Sequence, residues 1–326
     1  MFKNYLLIIL SPLPKRPSTF CLSSYLFLIL KISTRDILRE QILRAPQEVV
    51  VSSNLTGYTK KTKTRNSNYV FRGRMWCMKE LLSDPIFSET KRKLDELGIE
   101  AVLFDLDDTL IYTSEIFIHY MEVYSALVAE RIDVKPEEIM KALQGINDEE
   151  YKKMGVNPKR WEAVVEKLAL QFGHGEKEIL GNLDVLMKIY TMGPRLRKGV
   201  RGMLDVFRQS GVKMVLVTHA NVQWTEFKLD FLSLWDDFDA VIIVDENGHK
   251  KSIDWKKGMD AVETEPKNCL VVGDSLGGDI RPGAELGART IYLPSPWSVY
   301  REGDVPEGTE IIDEIFETLA ALSRLR

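Results

Sequence analysis

The sequence predicts an α/β protein with a doubly wound, mostly parallel, Rossmann-like sheet and an inserted all-helical domain. Three observations predict this fold: short apolar runs that end at polar residues, helical patterns between those runs, and one long helical interval after the first run. Continuous apolar runs are typical of strands that are buried on both faces of a parallel sheet. Strand and helix patterns that alternate predict a doubly wound sheet.

The predicted core elements follow one another in a regular order. The strands are AVLF before Asp105, KMVLV before Thr218, AVIIV before Asp245, CLVVG before Asp274 and TIYL before Pro294. A charged amphipathic helix is predicted over 81–97, because it ends at Gly98, a typical helix stop. The remaining core helices are predicted over 200–210, 224–234, 253–262 and 278–287.

One interval interrupts this alternation. Residues 112–200 have almost entirely helical patterns, although the first two strands flank them. We therefore predict a helical insertion over 112–200. The α/β core is predicted to consist of residues 75–111 and 201–326.

Residues 1–74 differ from the rest of the chain. Two apolar runs, 5–10 and 20–30, are too short for a membrane-spanning helix, and 52–74 are polar and basic without periodicity. We interpret this segment as a disordered or non-native extension, with Met75 or Met78 as a more natural start. A peripheral membrane anchor is the alternative, although membrane association is not the favoured prediction.

Composition limits the possible partners and compartments. The 326 residues have a net charge of −4, so no overall basic field favours nucleic acid. The three cysteines are far apart, without metal-site spacing, which favours a reducing compartment and predicts a cytoplasmic protein.

Acidic side chains concentrate at the ends of two predicted strands. Asp105 and Asp107 follow the first strand, whereas Asp274 and Asp279 follow the fourth. Ligands of parallel α/β sheets bind beyond the carboxyl ends of the strands, so four carboxylates are expected in one crevice. A single Asp there would more simply cap a helix or turn. Four carboxylates together would repel one another unless a cation such as Mg²⁺ joined them, and Mg²⁺ prefers oxygen ligands.

The same residues also suit covalent phosphoryl transfer. One carboxylate attacks phosphorus and a second moves protons, while the hydroxyl and backbone N–H groups at Thr218 hold phosphate oxygens. Lys250 and Lys251 both follow the third strand, and either supplies a positive charge near the transferring group.

Four motifs in order resemble those of the haloacid dehalogenase-like (HAD) superfamily. They are FDLDDTL, MVLVTHA, HKKS and VVGDSLGGDI, and the resemblance extends over residues 97–293. The insertion lies where that family has its C1-type helical cap. Such caps close over the site, exclude water and select the substrate.

The resemblance implies a role for each matching residue. Asp105 matches the nucleophile and Asp107 the general acid/base, whose backbone carbonyl also binds Mg²⁺. Thr218 matches the phosphate-binding hydroxyl, and Lys251, with Lys250 second, matches the motif lysine. Asp274 matches a further Mg²⁺ ligand, and Asp279 the acid that supports it.

One acid selects a branch of the family, and two positions depart from its pattern. Family members that cleave carbon–halogen or carbon–phosphorus bonds lack an acid at the position of Asp107, so its presence implies phosphoester chemistry. His219 replaces the usual Asn after Thr218 and is a candidate substrate contact. Ser252 replaces the usual Pro after the motif lysine.

These features predict an Mg²⁺-dependent phosphatase that hydrolyses a small phosphorylated metabolite through an aspartyl-phosphate. A phosphomutase on the same scaffold is the alternative, and a receiver-like phospho-acceptor domain is a further one. The charged residues Lys152, Lys153, Lys159, Arg160 and Arg195 make the insertion partly basic. Contact with an anionic substrate is one hypothesis for them, but they are interpreted as solvated helix faces.

Overall fold

The computed structural model describes residues 69–71, 74–76, 85–175, 177–246 and 248–326. The predictions for residues 1–68, for Met78 and for 81–84 of the first predicted helix lie outside these ranges. Within the part of the chain that is described, no helix is both long enough and apolar enough to cross a membrane.

Six parallel strands form the central sheet, in the order β5-β4-β3-β6-β7-β8. They are β3 Ala101–Phe104, β4 Lys213–His219, β5 Ala240–Val244, β6 Cys269–Gly273, β7 Arg289–Tyr292 and β8 Glu310–Ile311. Successive strands run outward from β3 on one side and from β6 on the other. The strand order therefore reverses at β3, and its carboxyl end opens a crevice. This arrangement confirms the predicted doubly wound fold.

The first core strand shows why these residues form a sheet that is covered on both faces. All four residues of β3 are buried. Val102 and Phe104 belong to one apolar cluster, whereas Ala101 and Leu103 belong to the cluster on the opposite face. A continuous apolar run thus supplies both layers, because successive strand side chains alternate between the faces.

The helices cover these faces and build the insertion. They are α1 Pro85–Leu97, α2 Ser114–Ile132, α3 Pro136–Met154, α4 Arg160–Phe172, α5 Leu183–Met187, α6 Val200–Ser210, α7 Val222–Leu232, α8 Ser252–Ala261, α9 Arg281–Glu285 and α10 Thr318–Ala321. The predicted helices are present, with ends that differ by a few residues. Only β8 among the described core strands was not predicted, since its two residues are too few to show a pattern.

The insertion between β3 and β4 has an apolar core of its own. Helices α2 to α5 enclose buried side chains that include Tyr124, Leu143, Trp161 and Leu168. Backbone hydrogen bonds join the segments that leave and re-enter the sheet layer: Tyr112 N–H donates to Arg195 O (3.0 Å), and Arg197 N–H donates to Leu110 O (2.9 Å). Two neighbouring chain segments therefore connect the insertion to the core.

A short hairpin precedes α1. Strands β1 Tyr69–Phe71 and β2 Arg74–Trp76 pair antiparallel, with Tyr69 opposite Trp76. The sequence predicts an unstructured linker as far as residue 74, so the structure differs at its end. Aromatic and β-branched residues such as those in YVF favour strands even in a basic stretch.

Candidate active site

Asp105 continues the line of β3 into the crevice. Its backbone N–H donates to Val272 O (3.0 Å), which holds the first residue after the strand in the sheet. The buried carboxylate accepts hydrogen bonds on both oxygens, from Lys250 Nζ (2.5 Å) on Oδ1 and from Thr109 Oγ1 (3.0 Å) on Oδ2. The predicted nucleophile is therefore fixed in orientation at the open end of the sheet.

A tight turn after Asp105 begins the connection to the insertion. Asp108 adopts a left-handed conformation with φ of 57°, which Asp tolerates better than most residues. Its carboxylate accepts hydrogen bonds from the backbone N–H groups of Thr113 (3.1 Å) and Ser114 (2.8 Å) at the start of α2. Asp108 therefore caps the first turn of α2.

Lys250, and not Lys251, reaches the crevice. The buried Nζ of Lys250 lies 2.5 Å from Asp105 Oδ1 and 2.6 Å from Asp279 Oδ1. Lys251 is exposed, and its extended backbone precedes α8. The preference for Lys251 as the lysine beside Asp105 is wrong in this geometry. Adjacent side chains on extended backbone project to opposite sides, so only one of the two faces the crevice.

Three of the predicted metal ligands come together. Oxygens of Asp105, Asp274 and Asp279 lie within 4.8 Å of one another, and all three side chains are buried. A π-helical turn over Leu276–Ile280 brings Asp279 back to the strand end, where it accepts from Ser275 N–H (2.9 Å). A Cβ at Gly273 would lie 2.4 Å from Asp279 Oδ2, so this approach requires glycine.

The electrostatics of this group favour a bound cation. Burial raises the pKa of Asp105 to about 7, although Lys250 opposes the shift. Burial, with Asp105 and Asp279 close by, raises the pKa of Asp274 well above its usual range. Asp274 Oδ2 is buried without a hydrogen-bond partner among the described residues. This oxygen-only donor set therefore fits the ligand preference of Mg²⁺.

The Asp107 carboxylate lies apart from that group. Lys228 Nζ contacts its Oδ1 at 2.6 Å and its Oδ2 at 2.8 Å, and Thr113 Oγ1 also donates to Oδ1. The side chain of Asp107 is therefore not brought to the three metal-binding candidates. The metal contact predicted for Asp107 uses its backbone carbonyl, so the side-chain position is compatible with that prediction.

Lys228 is a site residue that the sequence interpretation missed. It is fully buried on α7, and its Nζ lies 4.1 Å from the centre of the Trp224 ring, one helical turn earlier. The only sequence signal is a lysine four residues after a tryptophan on the inward face of a helix. Such a lysine is ordinarily solvated, so the signal is weak without the fold.

Thr218 and His219 stand at the end of β4, as predicted. Thr218 is fully buried, and its Oγ1 has no hydrogen-bond partner among the described residues. Burial, together with the nearby Lys250, lowers the pKa of His219 to about 4. The imidazole is therefore neutral near pH 7, and its buried Nε2 has no partner within the described chain.

A cavity of about 420 Å³ joins these groups to the insertion. Asp105, Lys250 and Asp274 line it on the core side, while Tyr151 and Lys152 line it on the insertion side. The insertion packs tightly here, because a Cβ at Gly155 would lie 2.4 Å from Gly248 O. The helical insertion thus covers the crevice in this conformation.

Comparison with known proteins places the chain among hydrolases. The sequence profile of the haloacid dehalogenase-like hydrolase family matches residues 99–287. Two similar proteins are named pyrophosphatase PpaX. The one from Bacillus mycoides (strain KBAB4) is 27% identical over 242 residues, covering 70% of this chain and 99% of that protein. The one from Bacillus cereus (strain ATCC 10987 / NRS 248) is 29% identical over 240 residues, covering 70% and 98%.

Solved structures share the fold. A haloacid dehalogenase-like family hydrolase from Xanthomonas campestris superimposes with a TM-score of 0.56 at 18% identity, covering 70% of this chain and 91% of that one. The HAD-hydrolase YfnB from Bacillus subtilis, which was solved bound to magnesium, gives a TM-score of 0.53 at 17% identity, with 69% and 99% covered. At these identities the likeness concerns the fold alone.

Proposed function

Because the chain belongs to the haloacid dehalogenase-like hydrolase family, we propose that it is a magnesium-dependent phosphatase of a small phosphorylated metabolite. One observation carries this proposal: Asp105 is held by Lys250 beside two further buried acids, with a second acid, Asp107, two residues later. The similarity to proteins named pyrophosphatase supports phosphorus–oxygen bond hydrolysis.

The proposed reaction has two steps on this chain. A carboxylate oxygen of Asp105 attacks phosphorus, the bond to the leaving oxygen breaks, and Asp107 donates a proton to that oxygen. Water then attacks the aspartyl-phosphate while Asp107 accepts a proton from it. Inorganic phosphate is released, and both carboxyl groups return to their starting states.

The surrounding residues hold the reacting groups. Lys250 offsets negative charge on Asp105 and on the phosphoryl group. Thr218 Oγ1, which lacks a partner within the described chain, is proposed to donate to a phosphate oxygen. The ring of His219 donates to backbone carbonyls of Asp245 and Gly248, so its free Nε2 is proposed to accept a hydrogen bond from a substrate hydroxyl. The insertion is proposed to act as a C1-type cap that excludes water.

Asp105, Asp274 and Asp279 are proposed to hold Mg²⁺, together with the backbone carbonyl of Asp107. When bound, the ion supplies positive charge that screens the phosphate from the surrounding carboxylates. Lys250 contacts Asp105 and Asp279, and Ser275 N–H donates to Asp279, so these contacts orient the donor oxygens.

The test measures phosphate release from 4-nitrophenyl phosphate and from pyrophosphate with Mg²⁺ and with EDTA. We expect EDTA to remove the activity and Asp105→Asn to lower kcat about 10³-fold or more, because the nucleophile is lost. Radioactive phosphate from the substrate should label the wild type and not this variant.

Asp95→Asn is the matched control, since Asp95 is an exposed acid of α1 paired with Lys91. Full turnover in Asp105→Asn would refute the covalent route. Transfer of the phosphoryl group to a second substrate position, without release of phosphate, would indicate the phosphomutase alternative.

A further inference from the structure

Arg160 is a buried cation in the insertion, although the sequence interpretation places it on a solvated helix face. It begins α4 and is only 5% exposed. Its guanidinium carbon lies 5.3 Å from the centre of the Trp161 ring and 5.8 Å from that of Phe117. Nε donates to Asn147 Oδ1 at 3.0 Å, and a further nitrogen approaches Gly155 O at 3.4 Å. The guanidinium is therefore rigidly placed.

The direct contacts of Arg160 include no opposite charge. Its hydrogen-bond partners, Asn147, Gly155 and the Tyr190 hydroxyl, are all neutral. No carboxylate of the described residues forms an ion pair with it, whereas Glu150 on the preceding helix pairs with two exposed lysines. A buried charge is costly unless an opposite charge accompanies it, which points to an anion from outside the chain.

Arg160 lies in a cavity next to the catalytic one. It lines a cavity of about 80 Å³ beneath the insertion, together with Phe117, Trp224 and Trp297. Asp107, Tyr151 and His219 line both this cavity and the larger catalytic one, so the two adjoin. Because Asp107 is the proposed proton donor to the leaving oxygen, this smaller cavity lies on the leaving-group side.

Three carboxyl groups share the cavity with Arg160. Asp107 pairs with Lys228, and Asp108 accepts hydrogen bonds at the start of α2, which leaves the carboxyl group of Asp148. The hydrogen bond to Asp148 comes from Ser298 Oγ at 3.5 Å. Burial raises the pKa of Asp148. Lys152 and Arg160 oppose this shift, yet no hydrogen bond or ion pair joins Asp148 to Arg160 in the described part of the chain, so the guanidinium keeps donors for a ligand.

We propose that Arg160 binds a second acidic group of the substrate, a carboxylate or a further phosphate, at the end remote from the transferred phosphoryl group. This inference rests on the proposed phosphatase function and specifies its substrate class. The planar guanidinium presents paired N–H donors that match such oxyanions. A neutral polyol would leave the buried charge without a counterion.

The test uses short linear alkyl phosphates of equal length whose far end is a methyl, hydroxyl, carboxylate or second phosphate group. We expect kcat/KM for the two acid-ended compounds to exceed that for the methyl-ended one by about 10- to 100-fold, the range expected for a charged hydrogen-bonded contact. The carboxylate and phosphate arms distinguish the two kinds of acid.

Substitutions of Arg160 test whether this residue causes the preference for acid-ended substrates. Arg160→Met should lower kcat/KM for acid-ended substrates far more than for the methyl-ended one, and Arg160→Lys should keep part of the preference. Lys153→Met is the matched control, because this exposed lysine pairs with Glu150 outside the cavity. Its preference should equal that of the wild type. An acid preference that survives in Arg160→Met, or equal turnover of hydroxyl-ended and acid-ended substrates, would overturn the proposal.

A binding measurement separates this inference from the phosphatase proposal. Calorimetry with Asp105→Asn and the same four phosphates, in Mg²⁺, needs no turnover. Tighter binding of acid-ended phosphates that is lost in Asp105→Asn/Arg160→Met supports the subsite even when the wild type hydrolyses none of them. Hydrolysis of all four at equal rates with equal binding rejects the subsite and leaves the phosphatase function in place.

Discussion

The ammonium group of Lys250 lies between two carboxylates, Asp105 and Asp279, that would otherwise repel each other. Burial lowers the pKa of Lys250, but these two acids raise it above its usual range, so the side chain stays charged. A phosphoryl group on Asp105 would add further negative charge at the same place. Because Lys250 Nζ lies at this place, we expect Lys250, rather than Lys251, to contribute to activity.

We expect Lys250→Met to lower kcat about 10²- to 10³-fold, because one charge-stabilising donor is lost. Lys251→Met should change kcat less than threefold, roughly, since an exposed surface substitution has little effect. Steady-state kinetics with 4-nitrophenyl phosphate measures both. A larger loss in Lys251→Met than in Lys250→Met would contradict the observed placement.

Helix α7 connects the insertion to the proposed acid/base. Trp224 belongs to the apolar core of the insertion and donates from Nε1 to Met192 O (2.9 Å). One turn later, Lys228 contacts both oxygens of Asp107. Since the two side chains share one face of α7, the packing of the insertion and the orientation of Asp107 depend on the same helix.

We expect Lys228→Met to lower kcat about 10- to 100-fold for alkyl phosphates, which is less than the 10²- to 10⁴-fold typical of losing the acid itself, because Lys228 only positions Asp107. The loss should be much smaller for 4-nitrophenyl phosphate, because nitrophenolate leaves without a proton. Kinetics with both substrates measures the difference.

Two further variants serve as controls for Lys228→Met. Lys228→Arg should restore part of the activity with alkyl phosphates, and Lys213→Met, which changes a half-exposed lysine at the start of β4, should have no effect. Equal losses with both substrates would indicate a purely structural role for Lys228.

Among the described residues, the buried carboxylates of Asp105, Asp274 and Asp279 lie together, and the buried Lys250 pairs with two of them. Burial raises the pKa of Asp105 from 3.8 to about 7. Because the pKa of Asp105 is higher in the folded state, protonation of this group favours folding. The contribution is complete below about pH 4 and is lost as the pH rises through about 7. Folding stability and cation binding are therefore coupled at this site.

In EDTA, we expect the free energy of unfolding of the wild type to fall relative to that of Asp105→Asn as the pH rises from about 4 to about 7. Asn has no charge to bury, so the variant lacks this change. Denaturant unfolding at a series of pH values measures it, and a difference that is constant with pH would contradict the prediction.

Mg²⁺ should reverse the effect in the wild type. A ligand at a hundred times its Kd stabilises the folded state by about 2.7 kcal/mol. The stabilisation should be smaller in Asp274→Asn, which removes a proposed ligand, and unchanged in the surface control Asp95→Asn.

The fold and most of the chemistry were predictable because both depend on local sequence. Apolar runs that end at Asp105, Thr218 and Asp274 identify buried parallel strands, and parallel strands present their carboxyl ends at one edge. The helical insertion was equally readable from its periodicity and length. Among the described elements of the core, β8, α10 and the hairpin before α1 were not predicted, because each is too short to show a local pattern.

The sequence by itself determined the family, the sheet and the acids at its open edge, since residue type and spacing along one strand suffice for these. Tertiary structure alone decided that Lys250 faces Asp105, that Lys228 holds Asp107, and that Arg160 is buried without an ion-pair partner among the described residues. Each of these cations meets partners distant in sequence. A charged residue on a helix or loop looks solvated until the packing of other elements removes it from water.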